Sequence, residues 1–215
     1  MVDVVASSQA SNDAETSDVR DAAVVIHTDR TAALAAYETF PAVAFSPTQS
    51  SAWIAAWAEE AHADLVVATL SSSGQSQMAL ALEVVRSGPF RVARFAGGRH
   101  ANGNFPPVAA GDEINRASLG RLFAAIARER PDIDLIALER LADSIDGIAN
   151  PLLALPHAPS PNLALAVNLN GGFEALLARA SGKRKRKKHR SQTRKFDAVG
   201  GYRLLTVKTR EEPDR

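Results

Sequence analysis

The sequence predicts an α/β (α+β) domain: a mixed, largely antiparallel sheet flanked by helices. Three observations predict it. Short apolar or alternating runs alternate with amphipathic helical patterns along the chain. Three consecutive strand patterns are joined by linkers too short for crossovers. A single long helical pattern then separates the last of these from another strand.

Taken in order, Ala22 to His27 reads as a short apolar strand. Thr28 and Asp29 can cap a helix that runs through Ala36 and ends before Pro41. Thr48 to Ala61 reads as a second helix, and Trp53, Trp57 and Ala61 recur at i, i+4 and i+8, the spacing of a core-facing stripe. Asp64 to Leu70, Gln77 to Arg86 and Phe90 to Phe95 read as an antiparallel meander turned by SSSGQS and SGP. A Gly/Asn/Pro-rich loop follows from Gly97 to Gly111. Ile114 to Arg130 then reads as a helix with Leu119, Leu122, Phe123 and Ile126 on its apolar side, stopped by Pro131. Ile133 to Leu141 and Leu163 to Leu169 read as strands, with a short helical or irregular piece from Ile148 to Leu155 between them. Phe173 to Arg179 and Lys183 to Val199 read as helices, and Gly200-Gly201 as the break that ends the second.

Composition narrows the function classes. The 215 residues are 46% hydrophobic, 23% charged and 6% aromatic, enough for one good-sized core. With no cysteine, the chain has no disulfide, no thiolate metal site and no cysteine nucleophile, in keeping with a cytoplasmic location. Residues 1–21 are rich in Ser, Ala, Asn and Asp and read as a disordered tail rather than a signal peptide. No apolar run approaches the roughly 20 residues of a membrane span. The five histidines lack ligand spacing, so no metal is expected. Asp132 and Asp134 read as turn capping and solvation, Glu139 and Asp143 as a strand edge and a turn, and no nucleophile elbow supports Ser/His/Asp catalysis.

Residues 201–209 alternate as a strand and residues 210–215 read as the start of a helix. A strand needs a neighbour and a helix needs several turns, so the expectation is a longer protein whose second domain opens here. The expected organisation is a tail over 1–21, a first domain over 22–170, basic connecting helices over 171–200 and the start of a second domain over 201–215.

The formal net charge of +1 conceals an asymmetry. Positions 183–195 (KRKRKKHRSQTRK) hold nine of the 25 Lys and Arg residues, leaving sixteen bases against 24 acids elsewhere, a balance of −8. On a helix these cations stack as like-charge i, i+4 pairs, each costing about 0.2–0.5 kcal/mol, so the segment calls for an anion. Lys183, Arg184, Arg186, Lys187, Arg190 and Arg194 are the candidate anion contacts. An acidic protein surface, an anionic substrate or cofactor, nucleic acid and an anionic membrane all answer that description.

The loop from Gly97 to Pro107 carries Arg99, His100, Asn102 and Asn104: a cation, an imidazole and two amides after a strand. This chemistry suits a polar or anionic substrate, with His100 as proton acceptor. The bland alternative is a surface loop in which Asn and Gly supply left-handed turns.

Together, Pro47-Thr48-Gln49-Ser50-Ser51-Ala52-Trp53, the meander, the loop Gly97-Gly98-Arg99-His100-Ala101-Asn102-Gly103-Asn104-Phe105-Pro106, and Phe173-Glu174-Ala175-Leu176-Leu177 leading through a basic helix to Gly200-Gly201-Tyr202 resemble the GNAT-superfamily acetyltransferases of the cellulose-biosynthesis type. These are related in architecture to the Fem-type aminoacyl transferases and carry two GNAT-like domains in tandem. The resemblance covers residues 22 to 209. It implies an acyltransferase in which an acceptor amine or hydroxyl, on a small molecule or saccharide, attacks the acetyl-CoA thioester. It places the acetyl-CoA site mainly in the second domain, so this segment alone is expected to be inactive. The pyrophosphate turn of such folds, R/Q-x-x-G-x-G/A, has only a near match here: Arg94-Phe95-Ala96-Gly97-Gly98-Arg99 puts Arg where the last small residue belongs. The rival class is a non-catalytic binding module whose basic helix contacts nucleic acid or another polyanion.

Overall fold

In the computed structural model, residues 2–6, 22–111, 113–160, 168–179, 182–201 and 203 are described. The chain divides into two compact units, residues 1–164 and 165–215.

The first unit is built on a mixed sheet. Strands β2 (Ala22–His27), β3 (Asp64–Ser72), β4 (Gln75–Ser87), β5 (Phe90–Phe95) and β6 (Leu135–Leu141) lie side by side in that order. β2 through β5 are antiparallel neighbours, as the short linkers require, and the β3–β4 hairpin turns at Ser73-Gly74, both at positive φ. β5 and β6 pair in parallel, joined by helix α3 (Arg116–Glu129). Helices α1 (Arg30–Glu38) and α2 (Ser51–Glu60) connect β2 to β3. Asp29, Ser50 and Asn115 cap the three helices through their side-chain oxygens.

Within the segment read as a disordered tail, Val2–Ala6 forms strand β1, antiparallel to β6. The edge of β6 away from β5 offers backbone groups, and residues 2–6, with three β-branched valines, supply partners for them. Two-residue strands complete the unit: β7 (Ser144–Ile145) pairs with β8 (Ile148–Ala149), and β9 (Ala158–Pro159) pairs with β1. The expected strand Leu163–Leu169 lies largely outside the described residues, as does the expected opening of a second domain over 201–215.

Strand alternation builds two different cores. In β4, Met78, Leu80 and Leu82 point to one face, where they meet Leu119, Leu122 and Ile126 of α3. Ala79 and Ala81 point to the other, and their small side chains admit Ala33 and Tyr37 of α1 with Ile54 and Ala58 of α2. The same alternation puts Glu83 on the α1–α2 face. The Trp53/Trp57/Ala61 stripe is corrected here: Ile54 and Ala58 are the buried positions of α2, the two indoles are half-buried at the rim, and exposed Ala61 is the C-cap. At about 100° per residue Trp53 and Trp57 lie roughly 120° and 80° from the line midway between Ile54 and Ala58, so the indoles flank the contact line, and Ala61 falls past the last helical residue.

At the end opposite the loop, Arg130 donates to both oxygens of Asp64 (2.8 and 2.9 Å) and both of Asp132 (2.8 and 2.9 Å). Arg91 pairs with the same two carboxylates and its N–H donates to Asp134. Asp132 therefore does more than cap a turn: it ties α3 to the starts of β3 and β5. The Arg130 hydrogen bonds hold its carboxyl down at about 2. A depressed carboxyl stabilises the fold above its ordinary value of 3.8, and that contribution is lost as pH falls towards 2. Urea midpoints measured between pH 5 and pH 2 should fall more steeply for the native chain than for Asp132→Asn. Equal slopes would show the network to be idle.

The second unit contains α4 (Gly172–Arg179) and α5 (Gly182–Ala198). A Cβ on Gly182 would run into the Leu177 carbonyl, so only glycine lets α5 start this close to α4. Phe173 packs on His189 at 4.9 Å between ring centres.

Candidate functional site

β5 and β6 are in register over Val92–Leu135, Ala93–Ile136 and Arg94–Ala137, and then part. The loop after β5 enters the gap. Gly97 and Gly98 take positive φ (114° and 53°) and a single 3-10 turn spans Gly98–His100. A side chain at Gly97 would meet the Trp53 indole nitrogen at 2.9 Å, so the sharp exit from β5 requires glycine on both steric and conformational grounds.

The loop has two halves with different roles. Residues 104–108 are buried and stitched into the fold. The Asn104 N–H donates to the Arg140 carbonyl (2.7 Å), and the Ala142 N–H donates to the Asn104 carbonyl (3.0 Å), so this short stretch continues the sheet beside β6. Phe105 exchanges bonds with Ser46, and the Pro107 carbonyl accepts from Ala79. Three buried amides lock the arrangement. Asn104 Nδ2 donates to the Glu139 carbonyl (2.9 Å) and Oδ1 accepts from Gln49 Nε2 (3.4 Å). Asn150 Nδ2 donates to the Asn104 and Ala142 carbonyls. Residues 99, 100 and 102, by contrast, are exposed.

Of the four loop residues expected to bind substrate, the structure leaves Arg99, His100 and Asn102 at the surface and commits Asn104 to scaffolding. Its amide is spent on internal partners, which a buried side chain needs. Arg99 and Asn104 line a small cavity of about 50 Å³ at the carboxyl ends of the parallel pair, together with Arg94, Gly98, Glu139 and Arg140. His100 stands next to it, its ring 5.9 Å from that of Trp57. Carboxyl ends where strands diverge are where open α/β sheets hold ligands.

Two contributors, Glu83 and Arg140, escaped the sequence reading. Glu83 is almost fully buried and accepts from Trp57 Nε1 (2.8 Å) and from Arg94 Nε (3.0 Å), fixing the indole behind His100 and the guanidinium beside the cavity. A lone carboxylate inside the apolar run LALEVV was the available signal, because such a charge is buried only with partners. Arg140 adopts a left-handed backbone (φ 57°) at a register shift between β6 and β1, and its guanidinium donates to the Arg99 and Ala101 carbonyls. Such strain is held only where the surroundings over-determine it.

The near-match to a pyrophosphate turn does not fit acetyl-CoA. The His100 and Ala101 N–H groups both donate to the Gly97 carbonyl, the turn is a single 3-10 turn rather than the start of a helix, and Arg99 occupies the place of the small residue. Among the described residues no group of His, Asp or Glu has metal-ligating geometry, and no helix is long and apolar enough to cross a membrane.

The candidate anion contacts Lys183, Arg184, Arg186, Lys187, Arg190 and Arg194 all lie on α5, and all but half-buried Arg186 are exposed.

Comparison of the chain with protein families, with curated proteins and with solved structures finds no match in any of the three.

Proposed function

We propose that this chain belongs to an acyl-CoA-dependent acyltransferase of the GNAT type, as the sequence resemblance implies, with a link to polysaccharide or cellulose biosynthesis, and that its first unit presents the acceptor. The observation that carries the reading is the parting of β5 and β6, the one parallel pair among the five central strands, with the Gly97–Pro107 loop set into the gap. Arg99 and Arg140 bring positive charge to that gap, Arg94 beside them is paired with Glu83, Glu139 adds a carboxylate, and exposed His100 is the group able to take a proton from an acceptor amine or hydroxyl. An acceptor carrying both an anionic and a protonated amine group would answer this mixture of charges.

Because the His100 and Ala101 N–H groups are turned onto the Gly97 carbonyl and no helix opens at the turn, this reading assigns the acyl donor to the second domain of the tandem architecture. Titration calorimetry of the 1–215 chain with acetyl-CoA should therefore detect no micromolar binding. The tandem protein, given a panel of amino sugars, amino acids and saccharides, should release coenzyme A thiol in an acceptor-dependent way. Micromolar binding by 1–215, or no acceptor-dependent thiol release from the tandem protein, would contradict the proposal.

A further inference from the structure

We infer that α5 is a docking surface for duplex nucleic acid, held through the phosphate backbone without reading the bases. This does not rest on the acyltransferase reading. The helix carries nine Lys and Arg residues against a single carboxylate, Asp197. Among the described residues none of the nine forms an ion pair. Lys183, Lys187, Arg190 and Arg194 recur at i, i+4, i+7 and i+11, a single stripe along the helix, and are exposed. With Arg186 and Lys195 they line one concave face.

Charge complementarity selects the occupant. The stripe spans about 17 Å at 1.5 Å per residue, a length over which a duplex presents about ten phosphate charges. A helix about 10–12 Å across also matches the roughly 12 Å width of the major groove, where both walls offer phosphates to the stripe and its flanks. A bilayer is a poorer match, because Phe196 and Ala198 are the only apolar side chains on α5 and form no face to immerse. A single strand is poorer still: binding it uses successive stacked aromatics, and α5 carries one phenylalanine and neither tyrosine nor tryptophan.

The test is fluorescence anisotropy of the 1–215 chain with a labelled 20-bp mixed-sequence duplex across a salt series. With about five phosphates neutralised, log affinity should fall against log salt with a slope near −4.5, a loss of about 500-fold between 50 and 200 mM. Replacing Lys183, Lys187, Arg190 and Arg194 together by Gln, which keeps helix propensity, should flatten the slope to about −1 and leave the far-ultraviolet circular dichroism unchanged. Lys185→Gln with Lys188→Gln, on the opposite side of the helix, should change the slope by less. A slope shallower than −2 for the unmutated chain would overturn the inference, as would an unchanged slope in the fourfold variant. So would tighter binding at equal salt to phosphatidylserine vesicles or to poly-glutamate, or a preference above tenfold among unrelated duplexes.

Discussion

Asn104→Ala should lower the stability of the first unit by about 2–4 kcal/mol, whereas Asn102→Ala, two residues away on the same loop, should change it by less than about 0.5 kcal/mol. The contrast comes from burial. Asn104 is 3% exposed and its amide joins the Glu139 carbonyl to Gln49, while Asn102 stands at the surface. Removing the Asn104 amide leaves the half-buried Glu139 carbonyl and the buried Gln49 Nε2 each short of a partner, at about 1–3 kcal/mol apiece, and opens a small void beneath the loop. The Gln49 contact, at 3.4 Å, contributes the lesser share, and Gln49 keeps its bond to the Ala96 carbonyl. For a unit of this size the loss corresponds to a fall of roughly 5–12 °C in melting temperature. Urea titration of both variants reads the difference, and equal midpoints would remove Asn104 from the scaffold.

The antiparallel strands, the three long elements on their faces and the basic helix were legible because each rests on local signals. Short linkers force β3, β4 and β5 to be neighbours, and Leu119, Leu122 and Ile126 mark the buried side of α3 by period alone. The site was only half legible. Arg99 and His100 could be named from loop chemistry, yet sequence gave no means of separating Asn102 from Asn104, because which amide is buried depends on β6, some 35 residues further on. Glu83 and Arg94 meet only because the β4–β5 register sets them opposite one another, and Trp57 reaches Glu83 only because Ala79 and Ala81 let α2 lie close. The left-handed backbone of Arg140 is imposed by its neighbours rather than by its own preference.

If the parted ends of β5 and β6 are the acceptor site, the surface half of the loop carries function that its buried half cannot. Arg99 and His100 are exposed, so replacing them removes chemistry at the cavity rim without unmaking the core. The His100 ring rests against Trp57, and Trp57 is held by Glu83, so the imidazole is positioned from below by a fixed indole. Arg99→Ala and His100→Ala should each reduce kcat/KM for acyl transfer by at least about tenfold, equivalent to about 1.4 kcal/mol of transition-state stabilisation. His100→Ala should act mainly on kcat and Arg99→Ala mainly on KM, the division expected between a proton acceptor and a binding cation. Melting temperatures should stay within about 2 °C of the unmutated protein, because neither side chain is buried. The decisive measurement is acceptor-dependent thiol release by the proposed tandem enzyme carrying each substitution: loss of turnover at unchanged stability is the predicted result, and undiminished turnover in both variants would contradict the assignment of the acceptor site.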